Sequence, residues 1–219
     1  MTELPGRSRV PVSTQTGPHE QLAALIERRR GQDYRKPVAP YSAEAFARFA
    51  AVCVPGAPLI VDSCCGVGES TLHLAERSPD HFVLGVDQSA DRLSRAPALP
   101  SNALLLRADM ADIWRLLHEG GYRPAHQYML YPNPWPKIGQ LARRWPAHPV
   151  FPLVLALGGS IECRSNWRIY VEEFALAVKL ITGIDASVDE HVPSLPITPF
   201  ERKYLASGHA LYRCGVRVG

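Results

Sequence analysis

Acids and glycines follow two short apolar runs of the sequence, and their spacing indicates a binding site. Asp62 comes directly after the run 59–61, Gly66 and Gly68 follow it, and Asp87 ends the next apolar run. Glycines at a strand–helix turn let the backbone approach a ligand, and the helix that follows presents free N–H groups. An acid at the end of the second strand can accept hydrogen bonds from ribose hydroxyls. The pattern therefore predicts a site for a cofactor that carries a nucleoside.

The residues at this turn favour a cationic ligand over a phosphate. The three spaced glycines of the dinucleotide fingerprint are only partly present, because Cys64 and Cys65 occupy the turn. An acid directly before the turn, Asp62, disfavours a phosphate and suits a positive group, such as the amino acid end of S-adenosylmethionine. A turn with a purely structural role is the alternative.

The segments around these residues alternate between predicted strands and helices. The runs 59–61 and 82–86 are short and rich in β-branched residues, which is typical of buried parallel strands. A helical pattern begins at Glu69 and Ser70, so the unit is one right-handed βαβ crossover. Further strands are predicted at 103–107, 125–131, 160–163, 186–191 and 210–218, and further helices at 90–96, 109–119 and 169–180. We expect a single α/β domain without internal repeats.

Two more candidate positions lie at predicted strand ends, where open α/β sheets bind ligands. Asp109 follows the third strand and could accept a hydrogen bond from an adenine amino group, cap the next helix, or do both. The loop 131–137 follows the fourth strand, and its three prolines fix the backbone. A rigid aromatic loop at this place predicts a site, with a structural turn as the alternative.

Composition bounds the class of protein. The chain has 219 residues, 46% of them apolar, and no apolar run approaches the length of a membrane span. We find no signal peptide and expect a cytoplasmic protein. The net charge of +3 is mildly basic and does not by itself indicate a nucleic-acid partner. Five cysteines, two of them adjacent, make neither a disulfide framework nor zinc spacing, so we predict no metal.

The chain is predicted to have three parts. Residues 1–18, rich in Pro, Ser, Thr and Gly, should form a disordered tail. Residues 19–57 should form a helical extension and residues 58–219 the cofactor-binding domain. The extension carries the basic residues 28–30, Arg35 and Lys36, which are either a solvated helix end or an arm that binds phosphates.

Three motifs after the predicted strands resemble those of bacterial tRNA (guanine-N7)-methyltransferases. That family has a Pro-Asp-Pro-Trp-x-Lys loop after its fourth strand, a Thr-Asp-Trp turn after its fifth, and a Thr-x-x-Glu-Arg segment near its end. The matching residues here are Pro132-Asn133-Pro134-Trp135-Pro136-Lys137, Ser165-Asn166-Trp167 and Thr198-Pro199-Phe200-Glu201-Arg202. The resemblance runs from about residue 58 to the end of the chain.

The resemblance implies a class I methyltransferase fold, which is a Rossmann-like seven-stranded sheet with helices on both faces and S-adenosylmethionine at its edge. The cofactor residues implied are Asp62, Cys64, Gly66, Gly68, Asp87, Gln88, Asp109, Met110 and Tyr131. The substrate residues implied are Pro132, Asn133, Pro134, Trp135, Lys137, Asn166, Trp167, Thr198 and Glu201. Among them Asn133, Asn166 and Glu201 are the candidate catalytic residues.

The sequence departs from the family at three of these positions. Two family acids are Asn133 and Asn166 here, and the first glycine of the turn is Cys64. Asparagine keeps an acceptor oxygen, adds donors and cannot act as a base. The loop at Asn133 also resembles the Asn-Pro-Pro-Tyr motif of amino-directed methyltransferases, in which the Asn oxygen and a proline carbonyl hold the substrate nitrogen.

Two substrates are therefore predicted, and a non-catalytic binding role is a third alternative. The first is N7 of guanine in tRNA, which has a free lone pair and needs no base. Trp135 and Tyr131 would stack on the heterocycle, Asn133 and Asn166 would orient it, and Glu201 would lie near it. The second is a small nitrogenous or heterocyclic metabolite clamped by Asn133. For tRNA, the phosphate contacts would come from Arg28, Arg29, Arg30, Arg35, Lys36, Lys137, Arg143 and Arg144.

Overall fold

A single seven-stranded sheet organises the computed structural model, which describes residues 8–32 and 34–219. Its strands are β1 (Leu59–Ser63), β2 (Phe82–Asp87), β3 (Ala103–Arg107), β4 (His126–Leu130), β5 (Gly159–Ser165), β6 (Val188–Glu190) and β7 (Tyr212–Val218). Their spatial order is β3-β2-β1-β4-β5-β7-β6. β7 is antiparallel to both of its neighbours, and the other pairs are parallel. The predicted α/β fold is confirmed, and β1 to β5 all end at the same edge.

The helices alternate with the strands as the sequence pattern predicts. They are α1 (Leu22–Arg29), α2 (Pro40–Ala50), α3 (Glu69–Arg77), α4 (Ala90–Leu93), α5 (Met110–Glu119), α6 (Phe151–Ala156), α7 (Arg168–Thr182) and α8 (Pro199–Ala206). Two short 3-10 helices, Ile138–Arg143 and Trp145–Ala147, follow β4. Strand β4 is shorter than predicted because Tyr131 turns the chain away with a φ of 52°.

The main core lies on one face of the sheet. Trp114 of α5, Phe49 of α2 and Phe174 of α7 have no exposed surface, and they belong to the same apolar cluster as Val61 and Met129 of the sheet. Burying side chains of this size supplies most of the stabilisation available to such a domain. The helical extension is therefore part of the core and not a separate appendage.

The opposite face of the sheet is only half covered. Leu74 and Ala75 of α3 pack on Ile60 and Val83, which covers β1 and β2. On β4, β5 and β7 the burial alternates residue by residue, as expected for strands with one buried and one open face.

A buried ion pair joins the amino-terminal segment to the domain. Arg144 and Glu173 have no exposed side-chain surface, and the Arg144 Nη1 donates to Glu173 Oε1. The same oxygen accepts the His19 N–H at 3.0 Å, and Arg144 Nη2 donates to Gln15 Oε1 at 2.7 Å. Residues 8–18 of the predicted disordered tail contain no helix or strand, but Gln15 is held by this pair. Residues 1–7 lie outside the described residues.

Replacing Glu173 should destabilise the protein strongly. Glu173→Gln keeps the shape but leaves the Arg144 guanidinium buried without a counter-charge, which costs about 3–5 kcal/mol. The measurement is the free energy of unfolding in denaturant. The control is Glu172→Gln on the same helix, whose partly exposed pair with Arg168 should contribute about 1 kcal/mol or less. Equal losses in the two variants would contradict this account of the pair.

Candidate functional site

The turn between β1 and α3 has the backbone of a ligand cradle. Cys64, Gly66 and Gly68 have φ values of 61°, 62° and 78°, in the left-handed region. A Cβ at Gly68 would lie 2.8 Å from Leu105 Cδ1, so this glycine is required for packing, whereas a Cβ at Gly66 would meet open space. Cys64 adopts this backbone at a cost of about 1 kcal/mol or more. Burial raises the pKa of its thiol to about 12, so it is no nucleophile.

Asp62 is a buried carboxylate with one unused oxygen. Its Oδ2 accepts hydrogen bonds from the hydroxyls of Ser70 and Thr71, each at 2.7 Å. Its Oδ1 is buried and accepts no hydrogen bond from any described residue. Burial raises the pKa of Asp62 to about 6 even though the two hydroxyls favour the charged form. An orphaned buried acceptor of this kind fits a positive ligand.

Asp87, at the end of β2, fixes the turn after β1. Its Oδ2 accepts the Gly66 N–H at 2.9 Å, and its Oδ1 accepts the Ser89 N–H at 2.8 Å. The Arg92 guanidinium lies 3.5 Å from the Oδ2. The next residue, Gln88, is exposed, with its amide nitrogen 3.5 Å from the hydroxyl of a tyrosine in α2. The acid predicted to hold ribose thus also positions the glycine turn.

Asp109 caps helix α5 and also faces a cation. Its Oδ1 accepts the Ala111 N–H at 3.0 Å, which is the helix-cap role predicted as one alternative. Its Oδ2 lies 3.1 Å from Lys36 Nζ, so this lysine pairs with the site and not only with solvent. The Met110 side chain is buried in the main core.

The loop 131–137 after β4 has a strained backbone that hydrogen bonds with two side chains hold in place. Tyr131 and Trp135 have φ values of 52° and 47°, which non-glycine residues rarely adopt. The Asn133 Oδ1 accepts the Trp135 N–H at 3.3 Å and closes an Asx turn. Arg144 donates to the carbonyls of Trp135, at 3.1 Å, and Lys137, at 3.4 Å. Asn133 is exposed at the tip, and Pro132 and Pro134 flank it.

The aromatic residues of the site differ in their access to a ligand. Trp135 is half-buried, and the guanidinium of Arg143 lies 4.8 Å from its ring centroid. Tyr131 is buried against Tyr204, so the prediction that it stacks on a heterocycle is wrong for this arrangement. Trp167 is also buried, beside Arg144, which agrees with the core-packing alternative for this residue.

The sequence predicts Glu201 near the substrate heterocycle, but this residue lies beneath the surface and not beside an open pocket. Its carboxylate is fully buried and accepts hydrogen bonds from Tyr131 Oη at 2.9 Å, Arg164 Nη1 at 2.7 Å and Ile197 N at 2.7 Å. Burial alone would raise the pKa of Glu201, but the His191 ring 3.6 Å away and hydrogen bonds from Arg164 and the Ile197 N–H lower it to about 2. Its role is to hold the neighbouring elements together.

Thr198 and Asn166 are also held by neighbours. The Thr198 hydroxyl accepts the Glu201 N–H at 3.0 Å and caps α8. Asn166 follows β5 and is buried, with its Nδ2 3.1 Å from His209 Nδ1. The sequence analysis did not single out His209. Ser70 and Thr71 were also missed as partners of Asp62, although hydroxyls one helical turn past a glycine turn could have suggested them.

The predicted phosphate contacts divide into buried and exposed residues. The prediction for Arg144 is wrong, because its side chain is fully buried in the ion pair. Arg29 is partly buried and donates to the Ala147 carbonyl. Lys137 and Arg143 are exposed beside Trp135. The exposed cations of the loop remain available to a polyanion.

Neither a metal-binding cluster nor a membrane-spanning helix occurs among the described residues. Within residues 8–32 and 34–219 there is no group of three or more His, Cys, Asp or Glu side chains that could hold a metal ion. In the same residues, no helix combines the length and apolar character needed to cross a membrane.

The chain is similar to known methyltransferases in sequence. A family described as "Putative methyltransferase" matches residues 56–214. The tRNA (guanine-N(7)-)-methyltransferase of Nocardioides sp. is 32% identical over 166 residues, which are 71% of this chain and 65% of that protein. The enzyme of the same name from Ralstonia pickettii is 25% identical over 185 residues, which are 79% of this chain and 71% of that protein. The chain thus spans about two thirds of the length of these relatives.

Solved methyltransferases share the fold at low sequence identity. An antibiotic-related methyltransferase superposes with a TM-score of 0.55 at 16% identity, covering 84% of this chain and 97% of that one. A 16S rRNA (adenine(1408)-N(1))-methyltransferase from Catenulisporales acidiphilia gives 0.54 at 16% identity, covering 84% and 92%. These likenesses concern the fold alone. The predicted class I, S-adenosylmethionine-dependent methyltransferase fold is confirmed, and the family match over most of the chain shows that the protein belongs to this methyltransferase family.

Proposed function

We propose that the protein transfers the methyl group of S-adenosylmethionine to N7 of a guanine in tRNA. The observation that carries this proposal is the loop 131–137, which presents exposed Asn133 and half-buried Trp135 at the sheet edge where β1 and β2 end. The relatives are named for N7 of guanine, and the loop resembles the Pro-Asp-Pro-Trp motif of that family. The tRNA substrate would place the activity in the cytoplasm.

The turn after β1 and the ends of β2 and β3 would hold the cofactor. The unused Oδ1 of Asp62 suits the ammonium group of the amino acid end, and Gly66 leaves open space for close approach. Asp87 would accept from ribose hydroxyls and Asp109 from the adenine amino group. S-adenosylmethionine supplies an electrophilic methyl group on its sulfonium, and the protein aligns a nucleophile with it and excludes water.

The hydrogen bonding of Asn133 favours guanine over a small amine. Because its Oδ1 already accepts the Trp135 N–H, its outward group is the amide N–H₂, which is a donor. The N7 edge of guanine presents two acceptors, N7 and O6, so the amide can donate to O6 while the N7 lone pair stays free. An amine clamp would instead use the second lone pair of the Asn133 oxygen, which would accept from the substrate while it also holds the Trp135 N–H.

The other residues would stack on the base or position the loop. Trp135 would stack on the guanine, because base–aromatic stacking contributes about 1–3 kcal/mol per base. Asn166 would orient its far edge from the end of β5. Glu201 is a positioning residue, since it reaches the loop only through the Tyr131 hydroxyl. Lys137 and Arg143 would contact phosphates beside the modified nucleotide.

Methyl transfer to tRNA tests the proposal directly. We expect label from S-adenosylmethionine to enter bulk tRNA from a strain that lacks its own guanine-N7 enzyme and to map to 7-methylguanine. A small-molecule extract of the same cells is offered in parallel. Label that enters only the extract would overturn the tRNA substrate and reassign Asn133 to a small nitrogen nucleophile.

Variants of Asn133 serve as the control for this assay. Asn133→Ala removes one donor and should lower turnover about tenfold, the equivalent of one hydrogen bond of about 1.4 kcal/mol, with cofactor affinity retained. Asn133→Asp keeps the Asx turn and restores the acid of the family motif, but it lacks the amide donor that this chain would use, so we expect its turnover to fall as well. Full activity of either variant would contradict the role given to the Asn133 amide.

Cofactor affinity should fall at low pH because Asp62 must be ionised to pair with the ammonium. With a pKa of about 6 in the free protein, the carboxyl is increasingly protonated below that pH. We expect S-adenosylhomocysteine affinity to weaken by up to about tenfold per pH unit below 6 and to be constant above it. Calorimetric titration between pH 5 and 7.5 measures this. Asp62→Asn should bind weakly with no such dependence, and a wild-type affinity that is constant over this range would contradict the assignment.

A further inference from the structure

The uncovered face of β4, β5 and β7 is a polar surface that begins at the site. We call it the open half-sheet. Cross-strand neighbours on it are His126, Ser160 and Arg217 in one row, Tyr128, Glu162 and Gly215 in the next, and Leu130, Arg164 and Arg213 in the row nearest the site. The first two rows keep exposed or half-buried residues, whereas in the third row Leu130 is buried in the same cluster as Tyr204 of α8 and Arg164 pairs with Glu201 of that helix. From Ser160 to Arg164 the surface extends about 13 Å at about 3.3 Å per residue.

Aromatic rings line one side of the open half-sheet. The rings of His126 and Tyr128, two positions apart on β4, are 6.4 Å apart and nearly parallel at 22°. The His81 ring lies 6.0 Å from that of His126. Sheet surfaces that carry aromatic side chains in this way are a common platform for unpaired bases, because every base can stack on a ring.

Arginines line the other side and the end nearest the site. Arg77, Arg213 and Arg217 are exposed. Arg77 and Arg213 line one cavity of about 470 Å³ together with Arg164 and His191. Arg217 lines a second cavity of about 280 Å³ at the other end of the rows, beside His126 and Tyr128.

The acids of this surface share one arginine or lie on its edge strand. Glu162 and buried Glu201 both pair with Arg164. On the edge strand β6, Asp189 is the cross-strand neighbour of Arg213, and Glu190 lines the larger cavity. Arg217 is thus the exposed cation of the rows farthest from the acids of β6, and together with Arg77 and Arg213 it can contact phosphates.

We propose that the open half-sheet binds a strand of the substrate RNA that flanks the modified nucleotide. Phosphates contact Arg77, Arg213 and Arg217, and a base stacks on Tyr128. The path starts beside Arg164 at the end of β5, next to the site, and runs toward the amino ends of the strands. This inference rests on the proposed tRNA substrate and names a second contact region for it, separate from the loop 131–137.

The composition of the surface favours RNA over a protein partner. Protein interfaces need an apolar centre, and none of the large exposed apolar side chains of the described residues lies on β4, β5 or β7. The rows themselves carry arginine side chains and histidine and tyrosine rings, which bind phosphates and bases, and the exposed Val192 and Leu195 lie beside them in the larger cavity.

Salt dependence of tRNA binding tests the proposal. The variant Arg77→Gln/Arg213→Gln/Arg217→Gln removes three proposed phosphate contacts, and the control Arg48→Gln/Arg123→Gln/Lys179→Gln removes three exposed cations from helix α2, the segment before β4 and helix α7. Affinity for bulk tRNA is measured by filter binding over a series of KCl concentrations with S-adenosylhomocysteine present. We expect the slope of log K against log salt to fall by about 2 in the first variant only, at about 0.7 per contact.

A second variant separates stacking from charge. Tyr128→Leu keeps an apolar side chain on the sheet but removes the ring, so tRNA affinity should fall about fivefold or more with an unchanged salt slope.

In methylation assays the triple arginine variant should raise KM and leave kcat near the wild-type value, because its three residues lie outside the reacting site.

The outcomes distinguish this inference from the proposed function. If wild type methylates tRNA and both triple variants bind it alike, the open half-sheet is not an RNA surface and the proposed function stands. If the arginine variant alone loses tRNA binding while wild type methylates no tRNA, the surface stands and the proposed reaction fails. A wild-type dimer that the arginine substitutions dissociate, without loss of tRNA affinity, would overturn the inference in favour of contact between two copies.

Discussion

The buried ion pair between Arg144 and Glu173 is the interaction on which the shape of the substrate loop depends. Arg144 uses its remaining donors on the carbonyls of Trp135 and Lys137, so the loop is fixed to helix α7 through one guanidinium. The same pair binds Gln15 and the backbone of His19. Buried charges need hydrogen-bond partners, and here the loop supplies acceptors to Arg144 and the amino-terminal segment supplies donors to Glu173 Oε1, while Glu173 Oε2 is buried without a donor from the described residues. The strained φ values of Tyr131 and Trp135 persist because this network opposes their relaxation.

A second network joins the strand ends on the cofactor side. Asp87 accepts the Gly66 N–H, so the acid of β2 holds the turn of β1, and Lys36 of the helical extension faces Asp109 of β3. Asp62 differs from both because one of its oxygens is buried without a donor from the described residues. The free-energy cost of that orphaned oxygen is recovered when a cation binds, which couples the stability of the turn to ligand binding.

The sheet and the edge at which the site lies were predictable from the sequence. Strand periodicity shows within a few residues, and parallel strands end at the same edge of a sheet. The strand 103–107 has the predicted bounds. Asp62 and Asp87 lie in the last two residues of β1 and β2, and Asp109, Asn133 and Asn166 follow β3, β4 and β5, which end at the same edge. Helix α8 was missed although Thr198 and Glu201 have the spacing of a helix cap. The burial of Tyr131, Glu201 and Arg144 could not be predicted, since the pairs Tyr131–Glu201, Arg164–Glu201 and Arg144–Glu173 join residues 29 to 70 positions apart that meet only in the folded chain.

The central claim is that the four strand ends form one site. Hydrogen exchange of the backbone amides, measured with and without S-adenosylhomocysteine, tests this claim most directly. The account predicts added protection in the segments 64–70, 87–90, 108–111 and 131–137, and little change on α1 and α6. Protection confined to the cavity between Arg29, Tyr34 and Arg115 on the helical face, with the strand ends unchanged, would contradict it.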